Sequence, residues 1–330
     1  MPPKHIEDCQ AASQPPSVAE LLGMRRPLVL RGLAAHWPAV RAADPLLYLE
    51  GFDRGAQMGV AIGSPEIEGR LFYGDDLGKL NFTRESAPFA SMVGRLREAE
   101  SSAAPPTIAA QAVDVVDAFP GFAEANRLDM LGPGVPPRIW IGNRVRVATH
   151  HDMSSNIAVA VAGRRRFTLF PPDQAANLYI GPFEFTPAGT PVSLFDPDAP
   201  DLARFPRAAE AMANALVAEL EPGDALYIPH MWWHHVRSLD SIGILVNYWW
   251  VAAPPPQPGL APMDVMVHAL LAFSGLPEEQ RSAWRAMFDT FVFDGESAAY
   301  LADKYRGIRG ELGADTKSRL RRQLGQMMAR

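Results

Sequence analysis

Five of the eight histidines fall in two short stretches, His150 and His151 in "RVATHHDMSSN" and His230, His234 and His235 in "EPGDALYIPHMWWHHVRS". The first stretch reads as a half-buried strand. Residues i and i+2 of a strand share a face, so His150 and Asp152 point together while His151 points away. A His-x-Asp pair on a strand supplies two of the three ligands of a 2-His-1-carboxylate set, which holds Fe(II) and leaves positions open for a co-substrate and dioxygen. The third ligand has to be a distant histidine. By itself His-x-Asp is a common pair, and a strand histidine is often a satisfied polar group, so context must carry the reading.

The second stretch supplies that context. It reads as a tight turn at Pro222-Gly223-Asp224, a strand to Ile228, and histidines on the next strand. His234 follows Asp152 by 82 residues, room for the hairpins that bring barrel strands together. His234 and His235 project to opposite faces, so only one of them can be a ligand.

The elements that must position these groups are mostly strands. From residue 138 onward "RIWIGNRVRVATHHD", "NIAVAVAG", "RRFTLFPP", "PVSLFD", "VAELEPGDALYIP", "HHVRSL" and "GILVNYWWVA" follow one another, separated by Gly, Pro and Asp turns. This texture predicts an antiparallel sandwich or barrel. Upstream, a helix from Ser17, a buried strand at 27–31 and an amphipathic helix over "SMVGRLREAE" flank it. After "APPPQPG" the spacing turns helical over 262–273, 277–291 and 316–328. The expected organisation is a flexible N-terminus (1–16), a catalytic domain with N-terminal flanking elements (17–253) and a C-terminal helical region (254–330). Met263, Met266, Leu270, Leu271, Trp284, Met287 and Phe288 form an apolar face there, which either packs on the barrel or makes a homodimer interface. The segment 181–206 reads as a long loop-rich insertion that either covers the site or runs over the surface.

Composition narrows the function classes. A net charge of −6 and a pI near 5.8 give no general attraction to nucleic acid or to an anionic membrane. The one cysteine, Cys9, cannot form an internal disulfide or a thiolate metal site. "MPPKHIEDCQAASQPP" lacks the apolar core of a signal peptide, so the expectation is a soluble, cytoplasmic protein. Neither Gly-x-Ser-x-Gly nor a phosphate-binding loop is found.

Taken with "RRPLVLRGLAAHWP", "GRRRFTLFPPDQAANLY", "DPDAPDLARFP" and "VNYWW", the two histidine stretches occur in an order that resembles the Jumonji C and cupin-like Fe(II)/2-oxoglutarate oxygenases. Within that family the chain looks especially like the asparaginyl hydroxylase of hypoxia-inducible factor and bacterial cupin-like relatives. The resemblance runs from residue 25 to 250. It implies a mainly β fold, a double-stranded β-helix of the jelly-roll, cupin-like type. It implies His150, Asp152 and His234 as the metal ligands, with Fe(II), 2-oxoglutarate and dioxygen as cofactor and co-substrates. Asn156 and Asn247 match family positions near the metal-bound end of 2-oxoglutarate, and Trp249 matches a pocket-wall aromatic. Arg165 stands where the hydroxylase carries a lysine for the distal carboxylate, which a guanidinium can grip bidentately. A tyrosine and a threonine that share that task there correspond to Ile108 and Val147, which have no hydroxyl. The alternative reading of Arg165 is a surface charge in the run Arg164-Arg165-Arg166.

The implied activity is hydroxylation of a protein or peptide side chain, a small molecule being the other substrate class. Two further readings compete: a cupin-type metalloenzyme that does not use 2-oxoglutarate, and a non-catalytic metal-binding cupin module.

Overall fold

Period-two runs fold as strands and period-3.6 runs as helices in the computed structural model, which describes residues 4–132, 134–251, 261–295, 298–310 and 313–328. The chain divides into two units, residues 1–254 and 255–330. Among the described residues no helix is long and apolar enough to cross a membrane.

The strands of the first unit are, in chain order, β1 (Lys4–His5), β2 (Asp8–Gln10), β3 (Leu28–Arg31), β4 (Gln57–Gly63), β5 (Arg70–Leu71), β6 (Phe82–Pro88), β7 (Thr107–Asp114), β8 (Pro137–Gly142), β9 (Arg146–His151), β10 (Ser155–Ala162), β11 (Arg165–Phe170), β12 (Leu216–Leu220), β13 (Ala225–Ile228), β14 (Trp233–Ser238) and β15 (Gly243–Trp250). They form two sheets. One is six-stranded in the order β1-β12-β11-β14-β9-β5, and the other nine-stranded in the order β2-β3-β13-β10-β15-β8-β7-β4-β6. Pairing is antiparallel except where the short strands β1, β2 and β5 add in parallel. The double-stranded β-helix expected from the sequence is thus present as two facing sheets.

Between the sheets lies an apolar layer in which Phe167, Leu169, Leu220 and Val236 of one meet Ala158, Ala160, Leu226, Ile228 and Leu245 of the other. The other face of the nine-stranded sheet is apolar as well. There Ile157, Val159, Ile244 and Val246 pack under helices α1 (Val18–Met24), α2 (Pro38–Arg41), α3 (Pro45–Glu50), α4 (Phe89–Glu100), α5 (Val115–Ala118) and α6 (Phe122–Ala125). This is why β10 reads as an unbroken apolar run: it is buried on both faces. Ser17 caps α1 reciprocally with Glu20, a capping box that stops the polar N-terminal segment from continuing the helix.

Residues 4–10 are not a flexible arm. β1 lies beside β12 and β2 beside β3, because edge pairing uses backbone groups and is open to the polar residues of this stretch. "PVSLFD" is not a strand either, making only an isolated bridge from Ser193 to Ile180. A short helix, α7 (Ala208–Ala213), precedes β12.

The second unit holds α8 (Pro262–Phe273), α9 (Glu278–Phe288) continued by a π-helical turn at Asp289–Phe293, α10 (Asp303–Arg306) and α11 (Ala314–Met328). Phe273 contacts Trp284 and Phe288 at ring-centroid distances of 5.5 and 5.7 Å, joining α8 to α9.

Candidate metal centre

β9 and β14 are hydrogen-bonded neighbours, and His150 lies directly opposite His234 in their ladder. The two histidines therefore come from adjacent strands of one sheet, with ring centroids 4.2 Å apart. Alternation alone would not have put them there. His234 pairs with His150 and Val236 with Val147, so Ala148 and Thr149 together stand opposite His235. This bulge shifts the parity of β9, so that Val147 and His150 both face the space between the sheets.

Asp152 lies just past the end of β9. One ligand atom from each of His150, Asp152 and His234 fits within 4.8 Å of the others. His150 Nδ1 donates to the Ala148 carbonyl at 2.9 Å and His234 Nδ1 to the Trp232 carbonyl at 3.0 Å. A carbonyl can only accept, so in both rings Nδ1 carries the proton and the Nε2 lone pair is left for a ligand. His234 Nε2 lies 3.7 Å from the Asp152 carboxylate. Burial, reinforced by the neighbouring His150, holds the His234 imidazole well below its ordinary value against the opposing pull of Asp152, so the ring is neutral at pH 7. Two imidazoles and a carboxyl group with one donor atom each gathered at one point suit a borderline divalent metal such as Fe(II).

The wall facing this triad comes from the nine-stranded sheet. Trp249 donates its indole N–H to Asp152 Oδ2 at 3.0 Å and sets its ring edge-on to Trp140, centroids 5.2 Å apart. Asn247 donates to Asn156 Oδ1 at 2.8 Å, while Asn247 Oδ1 is buried with no partner. His151 points away and packs its ring edge-on against Trp233. Trp232 and Trp233 belong to apolar clusters and Trp250 stacks on Tyr227.

Arg165 opens β11, delivered by a turn at Gly163. That residue has φ 67°, and a Cβ there would lie 2.2 Å from the Ile242 carbonyl oxygen, so only glycine fits. The three consecutive arginines then separate by face. Arg164 pairs with Asp240 and Arg166 with Glu219 on the outside. Arg165 points inward with Phe167 and Leu169, is 5% exposed, and makes no hydrogen bond or ion pair among the described residues; its Nε is buried and unpartnered. Burial alone lowers the guanidinium to about 10, which leaves it charged at neutral pH. A buried cation without a counter-charge fits a bound anion.

Ile108 is not part of this interior. It belongs to the apolar cluster under the helices, on the opposite face of the nine-stranded sheet, whereas its neighbour Ala109 packs toward Val145. Val147 does face inward, without a hydroxyl to offer.

A second group of donors, Asp196, Asp198 and His235, gathers on the outer face of β14. Side chains of the protein already fill it. Arg146 and Arg70 pair with Asp196, and His235, Arg146 and Arg237 with Asp198. Burial would raise the Asp198 carboxyl, but the hydrogen bond from His235 and the charges of His235, Arg237 and Arg146 outweigh it and hold the group at about 2. This cluster anchors the 181–206 segment, whose Ser193 N–H also bonds the Thr149 carbonyl at 2.8 Å. Those anchors lie behind the metal triad.

The sequence matches the cupin-like domain family over residues 15–255. Among curated proteins it is 32% identical over 146 residues to human tRNA wybutosine-synthesizing protein 5 (40% of this chain, 43% of that protein). It is 29% identical over 236 residues to the Arabidopsis thaliana lysine-specific demethylase JMJ30 (68% and 49%), and 33% identical over 120 residues to human HSPB1-associated protein 1 (35% and 24%). The chain thus spans about a quarter to a half of the length of these relatives. With that match over most of its length and the two-sheet fold beneath it, the chain belongs to the cupin-like, Jumonji C-related family.

Proposed function

We propose that this protein is an Fe(II)- and 2-oxoglutarate-dependent oxygenase that hydroxylates a protein or peptide side chain. One observation carries the reading: an interior cation with no counter-charge, Arg165, shares the space between the sheets with three open metal donors. That interior suits a ligand that chelates a metal at one end and bears a carboxylate at the other. His150, Asp152 and His234 hold the metal, Asn156, Asn247 and Trp249 wall its surroundings, and Arg165 takes the distal carboxylate.

Bound iron would activate dioxygen, the oxidant, with 2-oxoglutarate as electron donor, so that one oxygen atom goes into succinate, released with carbon dioxide, and the other becomes the hydroxyl on an unactivated C–H. The chain's own residues bind and orient. Trp249 holds the Asp152 carboxylate by hydrogen bond, the Ala148 and Trp232 carbonyls hold the rings of His150 and His234, and the apolar layer beyond keeps water out. No side chain is required as acid or base.

The relatives' names point to lysine in one case and to a tRNA in another. A net charge of −6 favours a polypeptide over a polyanion. We propose further that the second unit pairs two copies of the chain, since α8 and α9 keep Leu270, Leu271, Trp284 and Met287 exposed.

The test is an anaerobic titration with Fe(II) followed by 2-oxoglutarate, watching for a visible metal-to-ligand charge-transfer band, with Asp152→Ala as control. A band that vanishes in the variant supports the oxygenase. Iron binding without a band favours a cupin-type metalloenzyme that does not use 2-oxoglutarate, and absence of iron binding favours a non-catalytic module.

A further inference from the structure

We propose that Ser238 and Gly243 complete the anion socket begun by Arg165, the serine hydroxyl donating a second hydrogen bond to the distal carboxylate of 2-oxoglutarate and the glycine leaving the room that the guanidinium needs to lie beside that hydroxyl. The inference rests on the reading of 2-oxoglutarate as co-substrate and assigns two residues that the family resemblance does not.

Strand register places the three groups together. On the inner face of β14 the side chains run His234, Val236, Ser238, and β11 lies alongside with Leu169 opposite His234 and Arg165 opposite Ser238. One strand thus carries a metal donor at one end and a hydroxyl about 13 Å further along, four residues at strand rise. The facing strand, β15, presents Gly243, Leu245, Asn247 and Trp249 on its inner side, with Trp249 at the Asp152 end and Gly243 at the Arg165 end.

Ser238 is 5% exposed and its Oγ has no partner, although its backbone N–H is used by Val145. A buried hydroxyl without a partner is unfavourable, as is a buried guanidinium without one. Both converge on the same point. A Cβ built on Gly243 would lie 3.1 Å from Arg165 Nη2 and 3.5 Å from Ser238 Oγ. Gly243 has no positive φ, so the glycine answers a need for space and not for an unusual backbone. Two buried donors aimed at one bare stretch of backbone make a socket for an acceptor-rich group. A carboxylate offers two oxygens, enough for both the arginine fork and the serine. The hydroxyls that the resemblance places at Ile108 and Val147 are absent, and Ser238 brings one from a different strand.

The experiment compares dissociation constants for 2-oxoglutarate and pyruvate, the latter lacking the distal carboxylate, on the Fe(II)-loaded 330-residue chain by anaerobic calorimetry. Ser238→Ala should weaken 2-oxoglutarate roughly tenfold to a hundredfold, the scale of one hydrogen bond to a charged group, and leave pyruvate unchanged. Ser238→Thr should restore affinity, and Gly243→Ala should weaken 2-oxoglutarate selectively. Unchanged 2-oxoglutarate affinity in Ser238→Ala, or equal weakening of both acids, overturns the inference. Wild-type protein that does not prefer 2-oxoglutarate to pyruvate overturns instead the underlying co-substrate reading. Iron binding and far-ultraviolet circular dichroism of each variant separate these outcomes from misfolding.

Discussion

Trp249 reaches across from the nine-stranded sheet and donates its indole N–H to the Asp152 carboxylate at 3.0 Å, so the acidic member of the triad is oriented by the sheet that carries neither histidine. The two sheets are coupled at the metal end by this bond. Groups that orient a metal ligand from behind influence affinity nearly as strongly as the ligand itself. Trp249→Phe keeps an aromatic ring beside Trp140 and removes only the N–H. Iron affinity should fall about 10- to 100-fold, measured by competition with a metal indicator, while the thermal midpoint moves little.

Arg165 sets binding against stability. With its guanidinium lowered to about 10 by burial, the folded state disfavours the charge by about 3 kcal/mol relative to an unperturbed arginine. The sign follows from linkage: the penalty is complete below pH 10, where both states are protonated, and fades as pH rises from there toward the unfolded value. Arg165→Met should therefore make the ligand-free protein more stable at pH 7, by about 1–3 kcal/mol, and abolish 2-oxoglutarate binding. Urea denaturation with and without 2-oxoglutarate reads both effects; the wild type should be stabilised by the ligand and the variant should not.

The Asp198 cluster behind the triad gives a pH signature. Its carboxyl is held at about 2 in the fold, against an ordinary value near 3.9 when unfolded. Its contribution is complete above pH 4 and is lost as pH falls through 2, amounting to about 2 kcal/mol. Asp198→Asn should lose that increment at neutral pH and show a flatter acid limb in stability measured against pH. It should also expose the segment around Ser193 to limited proteolysis, because His235, Arg146 and Arg237 lose their shared partner.

Much of this arrangement was legible in the sequence because alternation is a local signal. The opposed faces of His234 and His235, the pairing of His150 with Asp152, and the starts of α8 and the helix at Ser17 all follow from period and capping residues. What stayed hidden depends on pairing between distant strands. The bulge at Ala148 and Thr149 exists only relative to His235 on β14. Ile108 lies on the helix-covered face of its strand, because which face a strand residue takes depends on register, and a shift of one residue reverses it. The three arginines at 164–166 look alike in sequence, yet Asp240 and Glu219 neutralise the outer two and leave the middle one alone. Ser238 and Gly243 carry no sequence signal until the sheets are brought face to face.

The second unit yields the last prediction. Among its described residues Leu271 is 78% exposed, and Met266, Val267, Leu270, Trp284 and Met287 are also exposed. The Phe273 contacts with Trp284 and Phe288 hold α8 against α9, so this apolar surface belongs to an ordered pair of helices. Several large apolar side chains exposed on one pair of helices are typical of an interface. The 330-residue chain should therefore run at twice its 36.0 kDa mass in size-exclusion chromatography with light scattering. Leu271→Asp should shift it to the monomer mass while leaving iron binding intact, because a charge buried at the centre of an apolar contact opposes association and the three donors His150, Asp152 and His234 all belong to the first unit. A wild-type protein that is monomeric at micromolar concentration would assign the apolar face of α8 and α9 some other role.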